Sequence, residues 1–145
     1  MTVQEIECYC LAKPGAYRDL PFGEAPICFK VRGKIFAQLY PDKITLKCTA
    51  FSGEAFRSAY PGIVVRGYHC PPVQQPYWNT IDLERFPHGE LAIMIDHAYE
   101  TVVSRLPKKV QQDIAELKQS VQECGYESET LVSSFSNVSS LCYGL

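Results

Sequence analysis

Three consecutive segments between residues 27 and 48 alternate apolar and polar side chains, and this period of two constrains the fold more than any other feature. In an extended strand, every second side chain points to the same face. Gly33 with Lys34 separates the first two segments, and Pro41-Asp42-Lys43 separates the last two. Short turns of this kind join antiparallel neighbours, so we predict a three-stranded meander with one apolar face. The apolar positions are Ile27, Phe29, Val31, Ile35, Ala37, Leu39, Ile44, Leu46 and Cys48.

The remaining elements can be placed around this meander. A capping box formed by Thr2 and Glu5 predicts a helix over about residues 3–12. A short helix begins at Ser52-Gly53-Glu54, and two further strands are predicted at 63–70 and 77–83. A long helix follows Pro87, with its buried stripe ending at Leu106. This order predicts an α+β fold: an antiparallel five-stranded sheet with helices packed on one face, plus a helical C-terminal extension.

The chain of 145 residues, 46% of them hydrophobic, is long enough for one domain with its own core. We assign residues 1–109 to this domain and 110–145 to the extension, an amphipathic helix at 110–123 followed by a serine-rich tail. No apolar run reaches the roughly 18 residues of a membrane span, and residues 1–7 lack a secretory pattern. We therefore expect a cytoplasmic protein whose seven cysteines are thiols.

Charge is distributed unevenly along the chain, although the formal net charge is only -2. Between residues 27 and 70 there are seven basic and two acidic side chains, whereas from residue 111 onward there are one basic and five acidic. The middle of the chain is therefore basic and its end acidic. Such an asymmetry concerns the choice of partner rather than the fold.

Several short runs occur together along about residues 4–109. They are Pro21-Phe22-Gly23, residues 29–37 (Phe-Lys-Val-Arg-Gly-Lys-Ile-Phe-Ala), Leu46-Lys47, Tyr60-Pro61-Gly62, Trp78-Asn79-Thr80, residues 96–99 (Asp-His-Ala-Tyr) and residues 106–109 (Leu-Pro-Lys-Lys). Taken in this order, the runs resemble the MmcQ/YjbR family. The resemblance implies the order α-β-β-β-α-β-β-α, which agrees with the elements above. It also implies DNA binding through two β-hairpins that act as wings.

The face of the sheet opposite the apolar positions is the candidate binding surface. Period-two geometry puts cations and aromatic rings on it together. Cations neutralise phosphates and exposed rings stack on bases, so the pattern favours nucleic acid. An ordinary solvated sheet face has a similar composition, and Trp78 also fits a residue at the edge of the core. The candidate residues are Lys30, Arg32, Lys34, Phe36, Tyr40, Lys47, Arg66 and Trp78.

Catalytic and metal-binding patterns are weak. The sequence has no P-loop, dinucleotide fingerprint, nucleophile elbow or zinc motif, so no cofactor is expected. His69 and Cys70 are adjacent on a predicted strand and should point to opposite faces, which makes a Cys–His pair improbable. His97 fits a structural hydrogen-bond network better than a catalytic role.

The leading hypothesis from the sequence is a non-enzymatic binding protein for DNA or other nucleic acid. The alternative is a protein–protein adaptor in which residues 110–145 or the sheet face dock a partner, or the molecule dimerises. It is motivated by the amphipathic stretch Val110 to Val121 and by the acidic tail. A third hypothesis is that the acidic tail covers the basic face and inhibits binding.

Overall fold

The computed structural model describes the backbone of residues 1–124 and the side chains of residues 1–87 and 89–117. The sheet has six strands in the spatial order β1-β2-β3-β4-β6-β5, and every neighbouring pair is antiparallel. The strands are β1 (Ala16–Asp19), β2 (Ile27–Val31), β3 (Lys34–Leu39), β4 (Lys43–Lys47), β5 (Val64–Arg66) and β6 (Trp78–Asp82). The α-helices are α1 (Val3–Leu11), α2 (Ala50–Ala59), α3 (His88–Val103) and α4 (Lys108–Cys124), and a 3₁₀ turn covers Gln75–Tyr77.

The α+β class with an antiparallel sheet is confirmed, but the predicted number of strands is wrong. The additional strand, β1, pairs with β2 at one edge of the sheet. It has only four residues, and its central Tyr17 and Arg18 are exposed, so it carries no apolar alternation that a sequence pattern can detect. The opposite edge is β5, with three residues.

The core lies between the sheet and the helices. Ile6 of α1 and Ile95 of α3 are fully buried in one cluster with Phe29 of β2. The predicted capping box at the start of α1 is present, because Thr2 accepts from the Glu5 amide and Glu5 accepts from the Thr2 amide. Ile114 of α4, which lies in the sequence beyond residue 109, also belongs to this core cluster.

A register shift in β3 changes the direction of Phe36. Phe29 lies opposite Ala37 and Lys30 lies opposite Ile35, so Phe36 is an extra residue without a partner on β2. Such a bulge interrupts the alternation of side chains. Phe36 is therefore fully buried, and its ring meets that of Tyr99 edge to face at 5.4 Å. Ile35 shares the opposite face with Lys30, so the predicted orientations of both Phe36 and Ile35 are wrong.

The predicted fourth strand is shorter than expected, because the chain turns after Arg66. The amide of Gly67 donates to the Trp78 carbonyl at 2.9 Å, and the Cys70 amide donates back to the Gly67 carbonyl at 2.9 Å. A cavity of about 150 Å³ joins His69 of this segment to Tyr40 and Thr45 of the sheet. The segment after Gly67 therefore lies against the face opposite the helices, where Thr45 is only 1% exposed.

Four cysteines, Cys10, Cys28, Cys48 and Cys70, are free thiols, as the sequence predicts. Cys8 is disulfide-bonded, so the prediction is wrong at that position. Among the residues that the structure describes, we find no helix whose length and hydropathy would let it cross a bilayer. The serine-rich tail after residue 124 lies outside the described residues.

Candidate functional site

A groove of about 530 Å³ opens where the tip of the β2–β3 hairpin, the ends of β4 and β6, and the end of α3 meet. This volume lies within the ~300–1,000 Å³ that is usual for small-ligand sites. The strand side carries Lys34, Lys47 and Trp78, and the helix side carries Arg105 between Val102 and Leu106. We call it the basic groove. Its lining residues are Gly33, Lys34, Ile35, Lys47, Trp78, Val102, Arg105 and Leu106.

The strand register places the main side chains of the basic groove. Lys47 lies directly opposite Trp78 across the β4–β6 pair, so both side chains project from the same face. Lys34 begins β3 immediately after a two-residue turn, in which Arg32 and Gly33 have φ angles of 52° and 81°. These positive angles are typical of a tight hairpin, in which glycine avoids strain.

The end of α3 supplies the second wall. The amide of Arg105 donates to the Val102 carbonyl at 3.1 Å, which continues the last helical turn past Val103. Val102 and Leu106 belong to the apolar stripe that packs towards the core. Arg105 lies between them in the sequence and is exposed. The helix therefore delivers one cation next to two aliphatic side chains.

The electrostatics of the basic groove favour an anion. Lys47 Nζ lies 4.8 Å from the centre of the Trp78 ring and 5.9 Å from that of Tyr77, which are cation–π distances. Burial lowers the pKa of Lys47, and the nearby Arg105 lowers it further. Among the described residues that line the groove, none is acidic. Lys47 and Arg105 thus repel each other, and a bound phosphate would relieve that repulsion.

Two other cavities have less favourable charges for a phosphate. A cavity of about 650 Å³ beside the N-terminus is lined by Asp42, Asp82 and Glu84 against one lysine, Lys43. A cavity of about 440 Å³ between α1, α3 and α4 contains Lys13, whose ammonium is paired with Asp96. Both cavities therefore lack the uncompensated positive charge of the basic groove.

Three of the eight candidate residues, Lys34, Lys47 and Trp78, come together in the basic groove. Lys30 projects from the same face of the sheet, but its ammonium lies 2.7 Å from the Asp19 carboxylate. This hydrogen bond raises the pKa of Lys30 and lowers that of Asp19. The charge of Lys30 is therefore compensated within the sheet.

The other four candidates lie elsewhere. Phe36 is in the core, so it cannot stack on a ligand. Tyr40 lies at the far end of β3, where Lys43 Nζ stands 4.9 Å from its ring centre. Arg66 lies opposite Asn79, whose side chain is buried against α2. The side chain of Arg66 is therefore on the other face of the sheet from Lys47 and Trp78. Arg32 is exposed at the hairpin tip, next to the basic groove.

Arg105 is the functional candidate that sequence reasoning missed. The apolar stripe after Pro87 predicts the helix, but it does not show which strand ends the helix contacts. The meeting of Arg105 with Lys47 depends on the packing of α3 across β3 and β4. A basic residue between two stripe positions was the available signal, and it is too common to be specific.

His69 and Cys70 lie side by side in the turn that follows β5. Cys70 Sγ and His69 Nε2 are 3.3 Å apart, because residues 67–70 form a turn rather than a strand. The expectation that these side chains diverge is therefore wrong. Burial raises the pKa of the Cys70 thiol and lowers that of His69, so both groups favour their neutral forms. Burial thus disfavours the thiolate form of Cys70.

The hydrogen-bond network predicted around residues 96–99 is present. His97 Nε2 lies 2.8 Å from Ser52 Oγ, which links α3 to the first turn of α2. Asp96 accepts hydrogen bonds from Tyr9 and Lys13 and so links α3 to the end of α1. Tyr99 donates to the Pro14 carbonyl at 2.5 Å. These contacts hold the three helices together.

The fold defines a class of small α+β proteins that is represented among crystal structures. A Deinococcus radiodurans protein of the domain family DUF419 aligns with a TM-score of 0.70 at 23% identity, over 79% of this chain and 88% of that one. A Pseudomonas syringae protein aligns with a TM-score of 0.55 at 19% identity, over 68% of this chain and 96% of that one. These likenesses concern the fold.

The sequence comparisons are more specific. The YjbR family model matches residues 11–101, and the chain therefore belongs to the YjbR family. The Escherichia coli K12 protein YjbR is 23% identical over 122 residues, which cover 81% of this chain and the whole of that protein. The resemblance seen in the sequence is thus confirmed.

Proposed function

We propose that this protein is a non-enzymatic, cytoplasmic nucleic-acid-binding protein that holds phosphates in the basic groove. The observation that carries the proposal is the meeting of Lys34, Lys47 and Arg105 in a cavity whose described lining has no acidic side chain. Phosphate contacts supply most of the sequence-independent affinity for DNA. Arg32 at the exposed hairpin tip adds a cation within reach of the neighbouring backbone.

Fluorescence anisotropy of labelled DNA at low salt tests this proposal. We expect the double variant Lys47→Gln/Arg105→Gln to weaken binding strongly, since it removes two of the three cations of the groove. The slope of log K against log salt should become shallower by roughly 0.7–0.9 for each lost phosphate contact.

Lys30→Gln is the matched control. Lys30 projects from the same sheet face and is 19% exposed, yet its charge is already paired with Asp19. Its replacement should leave affinity and salt slope almost unchanged. Equal losses from Lys30→Gln and from the double variant would place the interface elsewhere on the sheet, and wild-type protein that does not bind DNA at low salt would refute the proposal.

A protein–protein adaptor that docks through residues 110–145 is the second candidate. Leu117 on α4 favours it, because this apolar side chain lies near Gly15 and yet stays 44% exposed. The buried Ile114 shows, however, that α4 uses part of its stripe within the chain itself. Sedimentation of the full chain would support the adaptor if it revealed self-association that Leu117→Ala abolishes.

A further inference from the structure

We infer that the basic groove selects an unpaired nucleotide, so that the ligand is single-stranded nucleic acid and its base stacks on Trp78. This inference rests on the proposed function and specifies the class of ligand. It follows from the shape of the groove, from the mixture of side chains that line it, and from the covering of the neighbouring sheet surface.

The shape of the groove suits an isolated nucleotide. It is a recess of about 530 Å³ between a strand pair and a helix end, not a ridge or an open plane. A duplex keeps its bases stacked inside and presents phosphates on a convex outer surface, which is better matched by helices or ribbons that enter a groove of the DNA. A single strand can insert a base and its attached phosphates into such a recess.

The lining divides into parts that match the parts of a nucleotide. The Trp78 ring provides an aromatic surface, and Val102 with Leu106, on either side of Arg105 in the sequence, provides aliphatic surface. Base–aromatic stacking tolerates any sequence because every base has a π-face. Lys47 Nζ stands over the Trp78 ring, 4.8 Å from its centre, so a base that stacks on this face displaces the ammonium from the ring towards the attached phosphate. Cations without apolar surface would suffice for a duplex backbone, whereas this groove offers both.

The rest of the outer sheet face does not provide a flat platform. Thr45 and Gln38, in the middle of this face, are buried, and Thr45 is hydrogen-bonded to Thr80 at 3.0 Å between the hydroxyl oxygens. The segment after Gly67 borders this face, since its His69 lines one cavity with Tyr40 and Thr45. The basic groove at the end of the sheet, with about 530 Å³, is therefore a larger opening than the cavity of about 150 Å³ beside Tyr40.

The sequence provides a direct reporter for this inference, because Trp78 is the only tryptophan in the chain. Full-length protein is titrated at low salt with a short oligo-dT, an oligo-rU of equal length and a blunt DNA duplex. Tryptophan fluorescence and the anisotropy of the labelled oligonucleotides are recorded together. We expect the single strands to quench Trp78 and to bind at least about tenfold more tightly than the duplex, as stacking of one base is worth a factor of roughly 5–150. The dT and rU arms show whether the 2′-hydroxyl affects binding.

Two substitutions of Trp78 measure the contribution of stacking to the affinity, because both retain the cations of the groove. Trp78→Leu should weaken single-strand binding by roughly 5- to 150-fold and duplex binding by clearly less, whereas Trp78→Tyr retains a ring and should restore most of the affinity. Circular dichroism tests whether each variant is folded. If Trp78→Leu does not fold, the quenching of Trp78 fluorescence in the wild-type protein decides whether a base stacks on this ring.

The outcomes distinguish the inference from the function on which it rests. Duplex binding as tight as single-strand binding, without quenching of Trp78 but sensitive to Lys47→Gln/Arg105→Gln, would overturn the inference and leave the proposed function standing. Absence of binding to all three probes would overturn both.

Discussion

Phe36 shows how one residue can leave the pattern of its strand. Strict alternation assigns it to the outer face with Lys30, but the bulge opposite Phe29 turns it into the core. The sequence contains no glycine or proline at this point that would announce a bulge. The irregularity is compatible with the packing of the ring against Tyr99, a contact between distant parts of the chain. Local pattern could not predict it, because the partner lies on α3.

The burial of Phe36 leads to a prediction on stability. Phe36→Ala removes a large, fully buried side chain and should lower the free energy of unfolding by about 3–5 kcal/mol. Urea denaturation measures this loss. Phe51→Ala is the control, since that ring is 86% exposed and its removal should change stability by less than about 0.5 kcal/mol. Similar losses in both variants would contradict the position of Phe36 in the core.

The lowered pKa of Lys47 predicts a pH dependence of DNA binding. Burial and the neighbouring Arg105 favour the neutral amine, so Lys47 loses its proton at a lower pH than an ordinary lysine. Only the protonated form attracts phosphate, and affinity should therefore fall as the pH rises from neutrality towards the ordinary lysine pKa of about 10.4. Anisotropy titrations across this range measure the fall.

Lys47→Arg is the matched variant for this pH dependence, because the guanidinium stays charged throughout the range. Its affinity, normalised to the value at neutral pH, should decline less steeply than that of the wild type. Superimposable profiles for the two proteins would show that another group controls the pH dependence.

At the scale of elements, the meander and the long helix were predictable and the edges were not. β2, β3 and β4 have clear alternation, and α3 has a long apolar stripe, so each can be recognised from its own residues. β1 is short and exposed, and β5 ends at Arg66 because the following chain folds back over the sheet. The candidate site shows the same division. Lys47 and Trp78 follow from strand patterns and Lys34 from the hairpin turn, whereas Arg105 joins them through tertiary packing.

The first turn of α2 offers a prediction at this scale. Thr49 caps the helix by accepting from the Ser52 amide at 3.0 Å, while Ser52 accepts from the Thr49 amide. Thr49→Ala should lower the free energy of unfolding by about 1 kcal/mol, because an amide of the first turn loses its partner. Thermal and urea denaturation measure the effect. Ser58→Ala, on an exposed position of the same helix, should be nearly neutral, and an equal loss there would argue against the capping role.

At the scale of the whole molecule, α4 connects the C-terminal extension with the domain. Ile114 is 4% exposed and lies in the same core cluster as the sheet and α3. The domain boundary predicted at residue 109 marks the end of the family resemblance and not a change in packing. The family model ends at residue 101, within α3, so it does not define the end of the core.

This packing predicts that α4 contributes to the stability of the domain. Ile114→Ala should lower the free energy of unfolding by about 2–4 kcal/mol, because it removes a buried aliphatic side chain. Leu117→Ala, on the same helix but 44% exposed, should cost clearly less. A single cooperative urea transition in both variants would support a joint folding unit. If Ile114→Ala left the midpoint unchanged, α4 would not be a structural part of the domain.

The two short edges of the sheet have a consequence for the protein in concentrated solution. An unpaired edge strand is a template on which another chain can add, and long, flat, apolar edges lead to aggregation and fibres. Here one edge is the four-residue β1, whose Arg18 is ion-paired with Glu7 at 2.5 Å, and the other is the three-residue β5, which ends in Arg66. Neither offers a long apolar ladder to a neighbour. The sheet is thereby protected against edge-to-edge growth, and this protection resides in the two strands that carry the weakest sequence pattern.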